Sequence, residues 1–427
     1  MIGRVAKNTV FLSVSHVFAR GIGFLYAVFL ARFLGVHDFG IYSFTLAFIY
    51  PFIQVADFGI ERYILRDLSR DPGKSPKYLA SLLPLRILFS ITALAVAISL
   101  GLILGQPQTQ IIYFAVFGLA LIPYNLIFLF TSYLNSQEKM EYYALANIAQ
   151  ITLTAGLGTL FALLKLGLAV ILLSYPLANL IILFFFLANA KKWKIHLGWS
   201  IDFDFWKKSL SESWVFAALL IIAVFYLRLS TIMVGILKGP EATGLYTSAS
   251  KFVEAMILIP QSLALALFPL SSKLILEDKE KLKNVYKKGL GILFLFSLPF
   301  SFALIFGSKI ITGFAYGKEY LPAVPVFTLL GISVILFFVN SLAGNIIQNS
   351  NQVKKFLPLA VLNLGALLIF ALILIPKYSI VGAAWAVVGG EIVGLVINNV
   401  FVYRILAERS SPNEDISPDV HRGDIKI

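Results

Sequence analysis

Gly40-Ile41-Tyr42-Ser43 follows one apolar run and opens the next, and it returns as Gly244-Leu245-Tyr246-Thr247 in the same setting, 204 residues later. Asn135-Ser136-Gln137-Glu138-Lys139, between two later runs, returns as Asn349-Ser350-Asn351-Gln352-Val353-Lys354 at an offset of 214. Offsets this nearly constant mean that the chain carries two similar copies of one unit. Duplicated sets of apolar helices are how many membrane transporters are built.

Hydrophobic residues make up 59% of the chain and charged residues 13%, with a mean hydropathy of +0.86. A soluble domain sits at about half apolar and a quarter charged, so most of this chain must face lipid or other membrane helices. The absence of cysteine excludes disulfides, thiolate metal sites and cysteine nucleophiles. His16, His37, His196 and His421 show no metal-ligand spacing. No catalytic motif is visible; no enzyme activity, metal or cofactor is expected, apart from coupling of transport to H+ or Na+. Arg4 and Lys7 before an apolar stretch resemble the charged start of a signal, but the stretch is too long to be cleaved and reads as a retained first span.

Apolar runs of about 20 residues can cross a bilayer as helices. They fall near 8–33, 39–60, 79–104, 111–134, 142–164, 168–189, 211–237, 243–270, 287–311, 321–348, 356–376 and 380–404. The expected fold is therefore an all-α integral membrane protein of twelve transmembrane helices, arranged as two pseudo-symmetric six-helix bundles. The first bundle takes residues 1–190, a basic cytoplasmic linker 191–210, the second bundle 211–408, and a disordered cytoplasmic tail 409–427.

Positive charge orients the chain. Lys and Arg gather at the N-terminus and in every second loop, as at Arg62 to Lys77, Lys191 to Lys208 and Lys273 to Lys288. The opposite side holds only Arg32, Lys165, Lys238, Lys309, Lys318 and Lys377. Both termini are thus expected on the cytoplasmic side of the plasma membrane. The net charge of +13 belongs to these loops, which meet anionic lipid headgroups; no nucleic-acid partner is expected, and the chain should work as a monomer.

A charge at mid-bilayer costs at least ~2.5–3.5 kcal/mol and normally faces protein or water. Arg20 lies near the middle of span one and Arg228 near the middle of span seven, its counterpart. Aligning Gly40 with Gly244 sets Arg228 opposite Phe24, one helical turn from Arg20 on the same face. Guanidinium forks match phosphate oxygens bidentately, so paired arginines in a cleft suit a phosphate headgroup. Lys251 and Glu254, spaced i,i+3 in span eight, either neutralise one another or share that cavity, with Lys251 joining the headgroup site. Arg86 either snorkels or pairs with Asp57. Glu391, amid Gly389, Gly390 and Gly394, is a candidate proton or cation site, or else a partner for Arg20 or Arg228. His16, one turn before Arg20, is a further titratable candidate. Polar residues within spans, among them Asn125, Asn340 and Asn398, read first as helix-coupling hydrogen bonds.

Lys7-Asn8-Thr9, then Ala31-Arg32-Phe33-Leu34-Gly35 and Asp38-Phe39-Gly40-Ile41-Tyr42, form an opening that resembles the polysaccharide transporter family. These are the O-antigen-type flippases of the multidrug/oligosaccharidyl-lipid/polysaccharide (MOP) superfamily. Asp57-Phe58-Gly59-Ile60, Asn135-Ser136 and Gly382-Ala383-Ala384-Trp385-Ala386 are similar to the family pattern too, and the likeness spans residues 1–405. The resemblance implies a V-shaped pair of six-helix bundles opening alternately to either side. It also implies a cargo, an oligosaccharide on a polyprenyl phosphate or diphosphate, turned from the inner to the outer leaflet. A cation-coupled multidrug exporter of the same superfamily is the alternative. Arginines in spans one and seven argue against it, because a cationic interior repels cationic drugs. A membrane glycan polymerase would need a large outer loop with catalytic groups, and the outer loops here are short.

Overall fold

The structure is a computed structural model that describes residues 2–407 except 194, 196 and 351. Side chains are described outside residues 2–13, 70, 72, 258, 261–266, 268, 269, 276 and 349. The expected disordered tail, 409–427, lies outside the described residues.

The described chain is helical almost throughout. Its helices are α1 (Ile2–Asp57), α2 (Ile60–Arg70), α3 (Ser75–Ile103), α4 (Gln108–Gly118), α5 (Leu121–Ser136), α6 (Met140–Leu163) and α7 (Leu168–Ala188). There follow α8 (Phe203–Met256), α9 (Leu258–Glu277), α10 (Lys279–Ala315), α11 (Val324–Asn349) and α12 (Val353–Ala407). Among the described residues, nine helical stretches are long and apolar enough to cross a membrane. Large apolar side chains such as Phe184, Phe306, Ile310 and Phe314 point outward, which only lipid tolerates in such number. The molecule is a multi-pass membrane protein.

Three helices are too long for one crossing. α1, α8 and α12 run for 56, 54 and 55 residues, about 80 Å at 1.5 Å per residue, against a hydrocarbon core of about 30 Å. Each contains one residue outside helical geometry: Gly35 (φ 72°), Gly239 (φ 79°) and Ser379 (φ 51°). At these points the chain doubles back. In α12 the Phe370 ring lies against Gly389, Leu367 against Gly390 and Asn363 against Gly394. In α8 Arg228 reaches Glu254 across the turn, and in α1 Arg20 and Tyr50 line one cavity. Gly35 and Gly239 stand at the 204-residue offset of the repeated motif, and glycine adopts positive φ without a β-carbon clash. Pro240 then restarts the helix with φ already set.

Two apolar runs are interrupted in ways their hydropathy does not show. The run at 111–134 is split between α4 and α5, where Pro123 lacks the N–H that would bond the Leu119 carbonyl. The run at 243–270 is broken at Ile257, between α8 and α9.

The two halves of the chain touch at both ends of the helices. At the end carrying the Gly35 and Gly239 turns, His37 Nδ1 lies 2.5 Å from Glu241 Oε1, again a pair offset by 204. Tyr320 donates its hydroxyl to the Ala31 carbonyl at 2.9 Å, and Arg32 donates to the carbonyls of Ala315 and Phe314. At the other end Arg66 pairs with Glu212 and Asp67, and Gly59 (φ 70°) lies against the backbone of Ser213 and Ala217.

The connecting stretch 191–210 packs against α3: Ser200 N–H donates to the Ala80 carbonyl and Trp206 Nε1–H to that of Ser81. Helix α8 already begins at Phe203, capped by Asp202, whose Oδ1 accepts from Phe205 N–H at 2.9 Å. That bond, with Lys77 at 3.2 Å, holds the Asp202 carboxyl below the usual carboxylate range.

Candidate functional site: a cationic cavity between the halves

Arg20 on α1 and Arg228 on α8 open into one cavity of about 330 Å³, together with Lys251 and Glu254 on the second arm of α8. Arg228 Nη1 lies 2.6 Å from Glu254 Oε1, and Lys251 Nζ lies 2.9 Å from Glu254 Oε2. One carboxylate therefore holds two cations, one on each oxygen. Arg20 is exposed to the cavity and, among the described residues, makes no hydrogen bond or ion pair. Three cations against one carboxylate leave a formal surplus of positive charge within a partly enclosed space.

Tyrosines complete the wall. The Arg228 guanidinium stands over the Tyr50 ring, 5.4 Å from its centroid, a cation–π contact that orients it. Tyr42 and Tyr175 hydroxyls meet at 2.6 Å on the same wall. Sequence reasoning passed over these rings because eighteen tyrosines scattered through apolar runs give no period to follow. A guanidinium and an ammonium that share a carboxylate, beside an unpartnered guanidinium, can bind a phosphate by exchanging one acceptor for another.

The remaining candidates lie elsewhere. Arg86 is fully buried, with Nη1 2.6 Å from Asp57 Oδ1 and 3.2 Å from Asn125 Oδ1. Asp57 Oδ2 also accepts the Gly59 N–H at 2.9 Å. This group ties α1, α3 and α5 together and lines none of the described cavities. His16 is exposed beside Tyr143, ring centroids 6.0 Å apart, and does not line the cationic cavity.

Glu391 pairs with neither arginine, contrary to one of the two expectations for it. Arg228 is taken by Glu254, and Glu391 is buried on α12, accepting from Tyr226 Oη–H at 2.7 Å and from Asn340 Nδ2–H at 3.2 Å. It borders a second cavity of about 410 Å³, which meets the first at Leu227 and Ile257. Asn398 Nδ2–H donates to Asn340 Oδ1 at 2.6 Å. Asn363 and Arg62 also line this cavity and were absent from the sequence-derived candidates. Asn363 was visible as a lone amide in an apolar run, whereas Arg62 sat among loop cations.

A bundle of doubled-back apolar helices enclosing a charged cavity defines a membrane transporter. The model of the polysaccharide biosynthesis protein family matches residues 5–275, and the chain belongs to that family. The MatE model matches residues 216–376. The "Probable low-salt glycan biosynthesis flippase Agl15" of Haloferax volcanii is 26% identical over 396 residues, covering 90% of this chain and 80% of that one. Among solved structures, the lipid II flippase MurJ in an inward closed conformation superposes with a TM-score of 0.74 at 17% identity, covering 93% of this chain and 89% of that one. An inward-facing multidrug resistance MATE transporter of the MOP superfamily gives 0.73 at 16%, covering 96% and 99%. These superpositions bear on the fold.

Proposed function

We propose that the chain is a flippase for an oligosaccharide linked to a polyprenyl phosphate or diphosphate, moving it from the cytoplasmic to the outer leaflet of the plasma membrane for surface glycan assembly. The observation that carries this reading is the convergence of Arg20, Arg228 and Lys251 on one cavity, with Glu254 as the sole carboxylate lining it among the described residues. An anionic headgroup fits that surplus; a cationic drug is repelled by it, which weighs against the exporter reading that the MatE match would otherwise favour. The flippase relative and the membership of a polysaccharide family support the same cargo.

The architecture under this reading is twelve crossings, since each of α1, α8 and α12 turns back once, in two six-span halves related by a pseudo-two-fold along the membrane normal. Residues 1–190 and 211–408 form the halves, both termini are cytoplasmic, and one copy suffices. The headgroup enters from the cytoplasmic leaflet, its phosphate takes Arg20 and Arg228, the prenyl tail stays in lipid, and the halves rock. A phosphate that claims Arg228 and Lys251 displaces Glu254, and a proton or sodium ion compensates the freed carboxylate, which couples the cycle to an ion gradient. The test is flipping of a fluorescent polyprenyl phosphate in proteoliposomes. Arg20→Ala and Arg228→Ala should each slow it at least tenfold with insertion unchanged; wild-type rates in both variants would remove the site.

A further inference from the structure

The cationic cavity accounts for a phosphate and for little else of a glycolipid headgroup. The second cavity, of about 410 Å³, falls within the ~300–1,000 Å³ of ordinary small-molecule sites, and its polar lining differs in kind. It carries the amides of Asn340, Asn363 and Asn398, the Tyr226 hydroxyl and the Glu391 carboxylate. The described lining holds one cation, Arg62, whose guanidinium stands over the Phe216 ring, 5.6 Å from its centroid.

Amides offer donors and acceptors side by side, and a carboxylate offers two acceptor oxygens. Sugar hydroxyls, each donor and acceptor at once, match such a set; a phosphate, which only accepts, does not. Three of these groups already form a chain from Asn398 through Asn340 to Glu391, and Tyr226 donates to the other carboxylate oxygen. That chain fixes the Glu391 carboxylate in place. Asn363 Oδ1, by contrast, is buried without a hydrogen-bond partner, and a buried polar atom left so costs about 1–3 kcal/mol. A hydroxyl donor is what it lacks. The surrounding wall includes Phe337 and Phe356, which offer apolar faces to the C–H side of a sugar ring.

We infer that the cavity walled by Tyr226, Asn340, Asn363, Glu391 and Asn398 is a subsite for a neutral hexose of the cargo, placed beside the phosphate site so that one headgroup spans both. This rests on the flippase reading and adds to it: the C-terminal half reads the sugar while the seam reads the charge. The two cavities abut at Leu227 and Ile257, as a sugar joined directly to its phosphate requires.

Binding of two probes to the purified full-length protein tests the inference: undecaprenyl phosphate, and undecaprenyl phosphate carrying one glucose. The wild type should bind the glucosylated probe at least tenfold more tightly. Asn363→Leu and Asn398→Leu should remove that preference while the Kd of the bare probe moves less than threefold, which also shows that the variants are folded; Asn398→Gln should restore part of it. Equal affinity of the wild type for both probes would overturn the sugar subsite and leave the phosphate reading standing. Failure to bind either probe would overturn both. Variants that weaken both probes alike would assign the amides to the packing of α11 and α12 instead. Saturable binding of tetraphenylphosphonium, lost in Glu391→Gln, would make the cavity a site for organic cations and end the proposal.

Discussion

Gly40 and Gly244 meet backbone to backbone where α1 and α8 cross. A β-carbon on Gly40 would stand 1.9 Å from the Pro240 carbonyl oxygen, and one on Gly244 would stand 2.1 Å from that of Val36. The contact is reciprocal: each glycine meets the carbonyl four residues before the other. The repeated motif therefore marks a place where the main chains of the two halves touch, and hydrogen is the only side chain that fits there.

Replacing either glycine should be costly, because the obstructing atoms belong to the main chain and no rotamer change relieves them. Gly40→Ala and Gly244→Ala are each expected to destabilise the protein by about 1–3 kcal/mol, read as a lowered melting temperature in detergent. A melting temperature equal to wild type would mean that the crossing relaxes freely.

His37 and Glu241 lie within one turn of that crossing and meet at 2.5 Å. The rocking cycle proposed above would part them. The chain has no cysteine, so the double variant His37→Cys/Glu241→Cys gives an unambiguous cross-link. Oxidation should arrest flipping and reduction should restore it. Full transport by the cross-linked protein would show that the halves need not separate at this end.

Arg86 and Asp57 form a buried pair, and losing one partner strands the other. Arg86→Met should lower stability by about 3–5 kcal/mol, whereas Asp57→Asn/Arg86→Met should recover at least half of that. A double-mutant cycle on melting temperature measures it; additive losses would show that the two charges do not interact.

Glu254 holds Arg228 and Lys251, and in the proposed cycle a phosphate takes its place. Glu254→Gln leaves both cations seeking an acceptor, so the headgroup should bind more tightly and leave more slowly. KM and kcat for flipping should both fall, by threefold or more. A raised KM would place Glu254 in contact with the cargo itself.

Much of this was legible in the sequence. The duplicated Gly-x-Tyr motif announced two copies of one unit, though not that its glycines meet at the seam, and the same offset joins Gly35 to Gly239 and His37 to Glu241. Arg20 and Arg228 stood out because charge is costly in apolar runs, and the motif alignment set them at one level. Their partners were not legible. Arg228 meets Glu254 across a turn, and nothing in helical periodicity says which arm of a hairpin faces which. Glu391 looked like a counter-ion because its neighbours Tyr226 and Asn340 come from other helices. The turn at Ser379 was hidden for a different reason: positive φ normally announces itself with glycine, and here a serine adopts it.

In the proposed flippase, the surplus charge between the halves bears on how the cargo arrives. A guanidinium such as Arg20, exposed to the cavity, attracts chloride and other mobile anions from any solvent that reaches it. An incoming phosphate thus trades places with them, and their release to bulk adds entropy to its capture, as when proteins neutralise nucleic-acid phosphates. The ionic strength of the medium then sets the grip on the headgroup: dilute salt favours loading, and concentrated salt favours letting go.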